Sequence, residues 1–119
     1  MKAIHAYVRR GLAEQVIGAL LSSGCGTFSV LDVRGIAHDA EPSELDYSVS
    51  LAQRVEHVVK IEIVARDEDA ESWASVIVKA AHTGNRGDGL VSVLPVESAV
   101  RIATGDSGDS ALAETPRSP

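Results

Sequence analysis

Glycine, aspartate and arginine cluster in one segment of the chain in a pattern that suits the binding of an anion. Residues 82–89 have the sequence His-Thr-Gly-Asn-Arg-Gly-Asp-Gly, and Arg101 follows downstream. Glycine lets the main chain approach a ligand without a Cβ in the way, so backbone N–H groups can face a phosphate, and a guanidinium can bind phosphate through two hydrogen bonds. Alone, the segment is also typical of a plain turn between a helix and a strand. With Arg101 and the sequence blocks described below, it favours an anion or nucleotide site.

Histidines offer a second chemistry, because neutral imidazole binds zinc and copper. The four histidines, His5, His38, His57 and His82, show no close spacing of the metal-binding kind. We therefore expect surface or structural histidines and no metal site. His38 is the candidate that remains, because it stands beside Asp39 at the start of a long segment without a periodic pattern.

The chain carries no set of residues that suggests catalysis. Cys25 follows a glycine at the predicted end of a helix and has no neighbouring base, so we expect a buried, inert thiol. Ser107 and Ser110 lack a histidine in an ordered arrangement, so a hydrolase triad is not supported. We predict a binding protein and not an enzyme.

Composition and charge exclude several classes of partner. The formal net charge is -6 and there is no basic run, which argues against a nucleic-acid groove. No stretch has the roughly 18 apolar residues that a membrane-spanning helix requires, so we expect no membrane insertion. The N-terminus lacks a secretory signal and the single cysteine excludes an internal disulfide, so we predict a cytoplasmic protein.

The hydrophobic pattern predicts four strands and two helices in 119 residues, which fit one domain. Alternating apolar residues predict strands at 4–8, 27–34, 58–64 and 90–95. Apolar residues at helical spacing predict helices at 12–24 and 67–81. Residues 37–54 have no sustained period, so we predict a long, flexible loop between the second and third strands. We assign residues 1–103 to the domain and 104–119 to a polar C-terminal tail whose end is disordered.

The order strand, helix, strand, strand, helix, strand predicts an α+β fold of the ferredoxin-like βαββαβ type. Right-handed crossovers place both helices on one face of a four-stranded antiparallel sheet. The other face is left to water or to another subunit, and we expect a second copy of the chain to cover it.

Several blocks of the sequence together resemble one known family. They are residues 33–35, 59–64, 80–89, 93–97 and 100–105, which contain Val-Arg-Gly, Val-Lys-Ile-Glu-Ile-Val, Ala-Ala-His-Thr-Gly-Asn-Arg-Gly-Asp-Gly, Val-Leu-Pro-Val-Glu and Val-Arg-Ile-Ala-Thr-Gly. In this order and spacing they resemble the PII nitrogen-regulatory signal-transduction family, over residues 1 to about 112. The resemblance implies a homotrimer with nucleotide clefts between neighbouring subunits. It also implies that residues 37–54, the T-loop of the family, contact a partner protein.

The resemblance also implies which residues bind the adenine nucleotide. Residues 87–89 match the family's phosphate-facing loop, and Arg101 matches a residue that reaches phosphate from its own strand end. The nucleotide-binding set is Ser29, Gly35, Val64, Thr83, Arg86, Gly87, Asp88, Gly89 and Arg101. At the base of the T-loop, the effector positions are Ala37, His38 and Asp39.

Departures from the family pattern bear on the choice of ligand. Leu90 and Ala103 stand where the family has a lysine and a second arginine, and Val58 replaces a cleft lysine. Ala37 and Asp39 replace residues that help the family to hold magnesium-bound 2-oxoglutarate, and the modifiable tyrosine is Leu51. The reduced number of cations favours ADP or AMP over ATP and leaves magnesium and 2-oxoglutarate open. The alternative is an ion- or metal-responsive protein that acts near a transporter and binds no nucleotide.

Overall fold

The computed structural model describes residues 1–36 and 55–112. Its elements are β1 (Lys2–Arg9), a short 3₁₀ turn (Arg10–Leu12), α1 (Ala13–Ser22), β2 (Ser29–Ile36), β3 (Val55–Ala65), α2 (Asp67–Ala81), β4 (Gly89–Pro95) and α3 (Asp109–Leu112). The predicted loop over 37–54, which includes Ala37, His38 and Asp39, lies outside the described residues.

The four strands form one antiparallel sheet in the order β2-β3-β1-β4. The central strand β1 pairs with β3 on one side and with β4 on the other, and β2 pairs with β3. The predicted α+β, ferredoxin-like βαββαβ fold is therefore confirmed. Consequently β2 and β4 form the two edges of the sheet.

Alternation along the two central strands determines which face of the sheet is buried. In β1 the buried side chains are Ile4, Ala6 and Val8, and β3 continues the same face from Val59 to Ala65. Helices α1 and α2 pack together over this face. The core is aliphatic apart from one thiol, and its members are Ile4, Ala6, Val8, Ala13, Val16, Leu20, Cys25, Val59, Ile61, Ile63, Ala65, Ala70, Ile77 and Ala81.

The face of the sheet away from the helices, here called the open face, exposes apolar side chains. Leu31, Val64, Leu90 and Leu94 share this face by strand register and are 41%, 44%, 66% and 40% exposed. Between them, Lys60 forms an ion pair of 2.7 Å with a glutamate of the same strand. An apolar face of this kind is typical of a surface that another protein covers.

Part of the predicted C-terminal tail packs against the domain. Val100 forms an isolated bridge with Ser107, and the N–H of Arg101 donates to the carbonyl of Asp106 at 2.8 Å. In α3, Ala111 is only 4% exposed. Residues 113–119 lie outside the described residues, so the disordered end and the boundary at residue 103 stay predictions. None of the helices within 1–36 and 55–112 has the length and apolar character to cross a membrane.

Candidate nucleotide site

Asp88 organises the segment between α2 and β4, residues 83–89, which we call the glycine loop. Its carboxylate accepts hydrogen bonds from the backbone N–H groups of Thr83 at 2.8 Å and Gly84 at 2.9 Å, and from the Thr83 hydroxyl. These bonds join the first and penultimate residues of the loop. The carboxylate therefore holds the loop closed, much as an N-cap residue satisfies free amides at the start of a helix.

Gly89 places the end of the glycine loop against β1. Its φ is +106°, and a Cβ at this position would lie 1.8 Å from the carbonyl oxygen of Tyr7. Only glycine allows this conformation and this close approach of two backbones. The glycine that the sequence associated with anion binding therefore has a structural reason as well.

The side chain of Arg9 links the glycine loop to the end of β1. Its Nε donates to Oδ1 of Asp88 at 3.2 Å, and its guanidinium also donates to the carbonyl oxygen of Arg86. Nδ1 of His82 lies 3.8 Å from the other carboxylate oxygen. Hydrogen bonds from Thr83, chiefly, then from Gly84 and Arg9, hold the pKa of Asp88 well below its ordinary value, so the carboxylate stays ionised.

A basic depression of about 800 Å³ borders the glycine loop. Arg9 and Arg10 supply two guanidinium groups, while His57 and Val58 border it from β3. Among the described residues, the backbone N–H of Gly87 has no protein acceptor. Cations beside a glycine backbone make this depression suitable for a phosphate or another small anion.

A second depression of about 520 Å³ contains the other half of the predicted set. Ser29, Val64 and Arg101 line it, together with Phe28 and Glu62. The hydrogen bond from Lys60 lowers the pKa of Glu62, which therefore presents an ionised acceptor. Apolar side chains dominate the rest of the lining, which suits a flat aromatic base more than a phosphate chain.

Arg101 has a place that the sequence did not predict. It was expected at a strand end, but β4 ends at Pro95 and Arg101 lies in the segment that follows. Its Nε donates to the carbonyl oxygen of Ala111 at 2.7 Å, which anchors α3 next to the depression. One edge of the guanidinium is thus used within the chain.

The structure brings the predicted residues together in two groups and not in one. Thr83, Arg86, Gly87, Asp88 and Gly89 belong to the glycine loop, and Ser29, Val64 and Arg101 line the second depression. Val58 lines the first depression and Val64 the second, six residues further along β3, which corresponds to about 20 Å. The two groups therefore lie at opposite ends of β3 within one chain. Gly35 lies in β2, opposite residue 56 of β3.

Sequence reasoning missed Arg9, Arg10, Phe28 and Glu62. Arg9 and Asp88 are 79 residues apart, and nothing local links an arginine at the end of a strand to a distant glycine loop. The one available signal was the consecutive pair of arginines directly before a glycine at the end of β1.

Three of the four histidines, His5, His57 and His82, lie in the described part of the chain, where the predicted absence of a histidine-metal site can be compared with the structure. Within 1–36 and 55–112, no three histidine, cysteine or acidic side chains are close enough to hold a metal ion. His82 faces Asp88, and His57 borders the basic depression. His38, the remaining candidate, lies outside the described residues.

The sequence is similar to proteins of one family. Residues 1–106 match the family model for Nitrogen regulatory protein P-II. The chain is 39% identical to Nitrogen regulatory protein P-II 2 of Methanothermobacter thermautotrophicus, over 94% of this chain and 97% of that protein. It is 35% identical to Nitrogen regulatory protein P-II of Azospirillum brasilense, over 94% of this chain and 100% of that one.

A solved structure shows the same similarity. The crystal structure of Arabidopsis thaliana PII bound to citrate aligns with a TM-score of 0.75 and 34% sequence identity. The alignment covers 92% of this chain and 90% of that chain.

Proposed function

Since the chain belongs to the P-II family of nitrogen regulatory proteins, we propose that it binds an adenine nucleotide between the subunits of a homotrimer and controls a partner protein through residues 37–54. P-II proteins are signal transducers and not enzymes, in agreement with the prediction from the sequence. The observation that carries the proposal is the division of the predicted site into two distant groups on one chain.

Two subunits make this divided site whole. The glycine loop and the basic depression lie at one end of β3, and Ser29, Val64 and Arg101 lie at its other end. A nucleotide contacts both groups when the loop of one subunit faces the second depression of its neighbour. The glycine backbone and arginines then meet the phosphates, and the more apolar depression receives the base.

The open face supports assembly of the subunits. Leu31 and Leu94 lose solvent contact if copies of the chain pack against this face, which is favourable at about 25 cal/mol for each Å² of apolar surface buried. Val64 and Leu90 share the face and border the proposed cleft. The helices already cover the opposite face. The open face is therefore the surface that we assign to the trimer interface.

The side chains of the proposed cleft support ADP or AMP over ATP. Leu90, directly after the glycine loop, is 66% exposed, and Ala103, downstream of Arg101, is also exposed. Neither can compensate a phosphate charge. The cleft therefore has two cations fewer than the family pattern, which suits one or two phosphate groups better than three. Titration with and without magnesium, described below, tests whether magnesium accompanies the nucleotide.

Residues 37–54 connect the β2 and β3 strands, and we propose that they contact the partner, an enzyme, a transporter or a regulator. Control of such a partner requires that the nucleotide bind the two states of the protein with different affinities. The alternative function, an ion- or metal-responsive protein near a transporter, rests on His38 and Asp39. No observation on the described residues favours it.

Calorimetric titration with AMP, ADP and ATP, with and without magnesium, tests the proposal alongside a mass determination in solution. We expect a trimer with about one nucleotide site per chain and tighter binding of ADP and AMP than of ATP. Arg101→Ala is expected to abolish binding, and His38→Ala to leave it intact. Absence of heat with all three nucleotides would contradict the proposal and make the metal-responsive alternative the leading one.

A further inference from the structure

We propose that Arg9 is a positioning residue for the nucleotide's phosphates: it holds the glycine loop in the conformation that receives them. The inference rests on the proposed function and adds a residue of β1 to the site. Neither the glycine pattern nor the sequence resemblance had included Arg9.

Arg9 contacts the glycine loop at two residues near its end, one on each side of Gly87. Its Nε donates to the carboxylate of Asp88, and its guanidinium donates to the carbonyl oxygen of Arg86. The side chains of Arg9 and Asp88 are 37% and 23% exposed, so this ion pair is partly shielded from water. A charge-assisted contact in such a place is stronger than an exposed surface ion pair.

The guanidinium also lies against the backbone of Gly87. A Cβ at Gly87 would be 3.2 Å from Nη2 of Arg9, and its φ is +91°. The guanidinium thus fills the space beside Gly87 and donates to the residues on either side of it. Next to them, Gly89 packs against the carbonyl oxygen of Tyr7. Both anchors of the loop therefore come from the end of β1, which is a central strand of the sheet.

The contacts of Arg9 imply an effect on affinity through the loop. Asp88 receives Arg9 on one side and the amides of Thr83 and Gly84 on the other. Loss of Arg9 frees this carboxylate to move, and the closure of the loop at Thr83 and Gly84 weakens with it. A loop that is not already in its bound conformation must be ordered on binding, which lowers affinity.

Arg10 provides a matched control. It is the next residue, carries the same charge, borders the same depression and is exposed. Among the described residues it has no hydrogen bond or ion pair of its side chain with the glycine loop. Replacement of Arg10 removes one positive charge from the depression without removing a contact of the loop.

The test compares Arg9→Gln with Arg10→Gln in the full chain, after thermal unfolding has shown that both variants are folded. The amide exchange of Thr83 and Gly84 is measured by NMR without nucleotide, and the affinity for ADP by calorimetry. For Arg9→Gln we expect exchange at both amides to rise about tenfold and ADP affinity to fall about tenfold, which corresponds to about 1.4 kcal/mol. For Arg10→Gln we expect unchanged exchange.

Two further variants separate positioning from a simple charge effect. Arg9→Lys is expected to restore part of the exchange protection, because an ammonium can reach Asp88 but lacks the planar fork that contacts Arg86 as well. In an Asp88→Asn background, Arg9→Gln is expected to add little, because the two residues act through one contact.

Unchanged exchange in Arg9→Gln, or equal acceleration in Arg10→Gln, would overturn the inference. Because exchange is measured without nucleotide, it decides the role of Arg9 in the loop even if the wild-type protein binds no ADP. That last result would instead overturn the proposed function.

Discussion

Asp88, between the last two glycines of the loop, uses its carboxylate within its own segment and towards β1. Its partners are two backbone amides, one hydroxyl and one guanidinium. A phosphate is repelled by a carboxylate and attracted by amides and guanidinium groups. At the scale of single residues, Asp88 therefore shapes the glycine loop, and in the proposed site the arginines and the glycine backbone are the groups that attract the anion.

The ionisation of Asp88 predicts a pH dependence of stability. Its pKa in the folded protein lies below the ordinary value of 3.8, mainly through Thr83, and the Arg9 guanidinium and the His82 imidazole face it. A carboxylate whose pKa is lower in the folded protein than in the unfolded chain stabilises the fold at pH values above its unfolded pKa. This contribution is lost as the pH falls from the unfolded pKa towards the folded pKa. We expect the stability advantage of wild type over Asp88→Asn to stay constant from pH 7 to about 5 and to shrink below about 4.

Urea unfolding of both proteins at a series of pH values measures this difference. An advantage that persists undiminished at the lowest pH at which both proteins fold would show that the carboxylate charge is not what holds the loop.

Leu90 and Ala103 predict a gain of function for the proposed cleft. The double substitution Leu90→Lys with Ala103→Arg supplies two cations where the chain has apolar side chains. Each charge-assisted hydrogen bond contributes about 1.5 to 3 kcal/mol, so we expect ATP affinity to rise at least about tenfold, and more than AMP affinity. Calorimetry measures both.

Leu21→Lys is the control for added charge, because Leu21 lies on α1 and is 55% exposed. An equal gain in this control, or an equal gain for AMP and ATP, would mean that general attraction and not the cleft accounts for the change.

At the scale of secondary structure elements, helix α1 carries an unfavourable residue in its interior. Gly18 lies within Ala13–Ser22, is exposed, and has no atom within 4 Å of the position that a Cβ would take. Glycine in a helix interior is less favourable than alanine by about 0.5 to 1 kcal/mol. The helix therefore depends on packing of Val16 and Leu20 more than on its own propensity.

Gly18→Ala is expected to stabilise the protein by about 0.5 to 1 kcal/mol, because it lowers the entropy of the unfolded chain without a clash. Gly89→Ala is the contrasting variant, since its Cβ would meet the Tyr7 carbonyl and its φ is positive. Denaturant unfolding measures both. Destabilisation by Gly18→Ala would show that α1 is more tightly covered in the assembled protein than in one chain.

At the scale of the whole molecule, the two faces of the sheet have different roles. One face is sealed by α1 and α2, and the other exposes the apolar side chains of the open face. An exposed apolar face favours packing against a neighbouring copy of the chain. The two halves of the candidate site, which are separated on one chain, also require a neighbouring copy to meet. One interface would thus bury the apolar side chains of the open face and also bring the two halves of the site together.

Leu31→Glu tests this view. Leu31 lies on the open face and is 41% exposed, so a carboxylate there would be buried without a partner in the proposed trimer. We expect a shift to lower mass in analytical ultracentrifugation together with loss of nucleotide binding. Leu21→Glu, on α1, adds the same charge elsewhere and is expected to leave both unchanged. A trimer that survives Leu31→Glu would place the interface on another surface.

The sequence by itself determined the order of strands and helices, the buried face of each and the glycine loop. These properties are local: Val59, Ile61 and Ile63 alternate with polar residues whatever the rest of the chain does, and glycines mark positions of positive φ. Only the tertiary structure decided that Arg9 meets Asp88, that Arg101 anchors α3, and that the predicted site residues form two distant groups. Such contacts depend on strand register and on crossovers between distant segments, which no local pattern specifies.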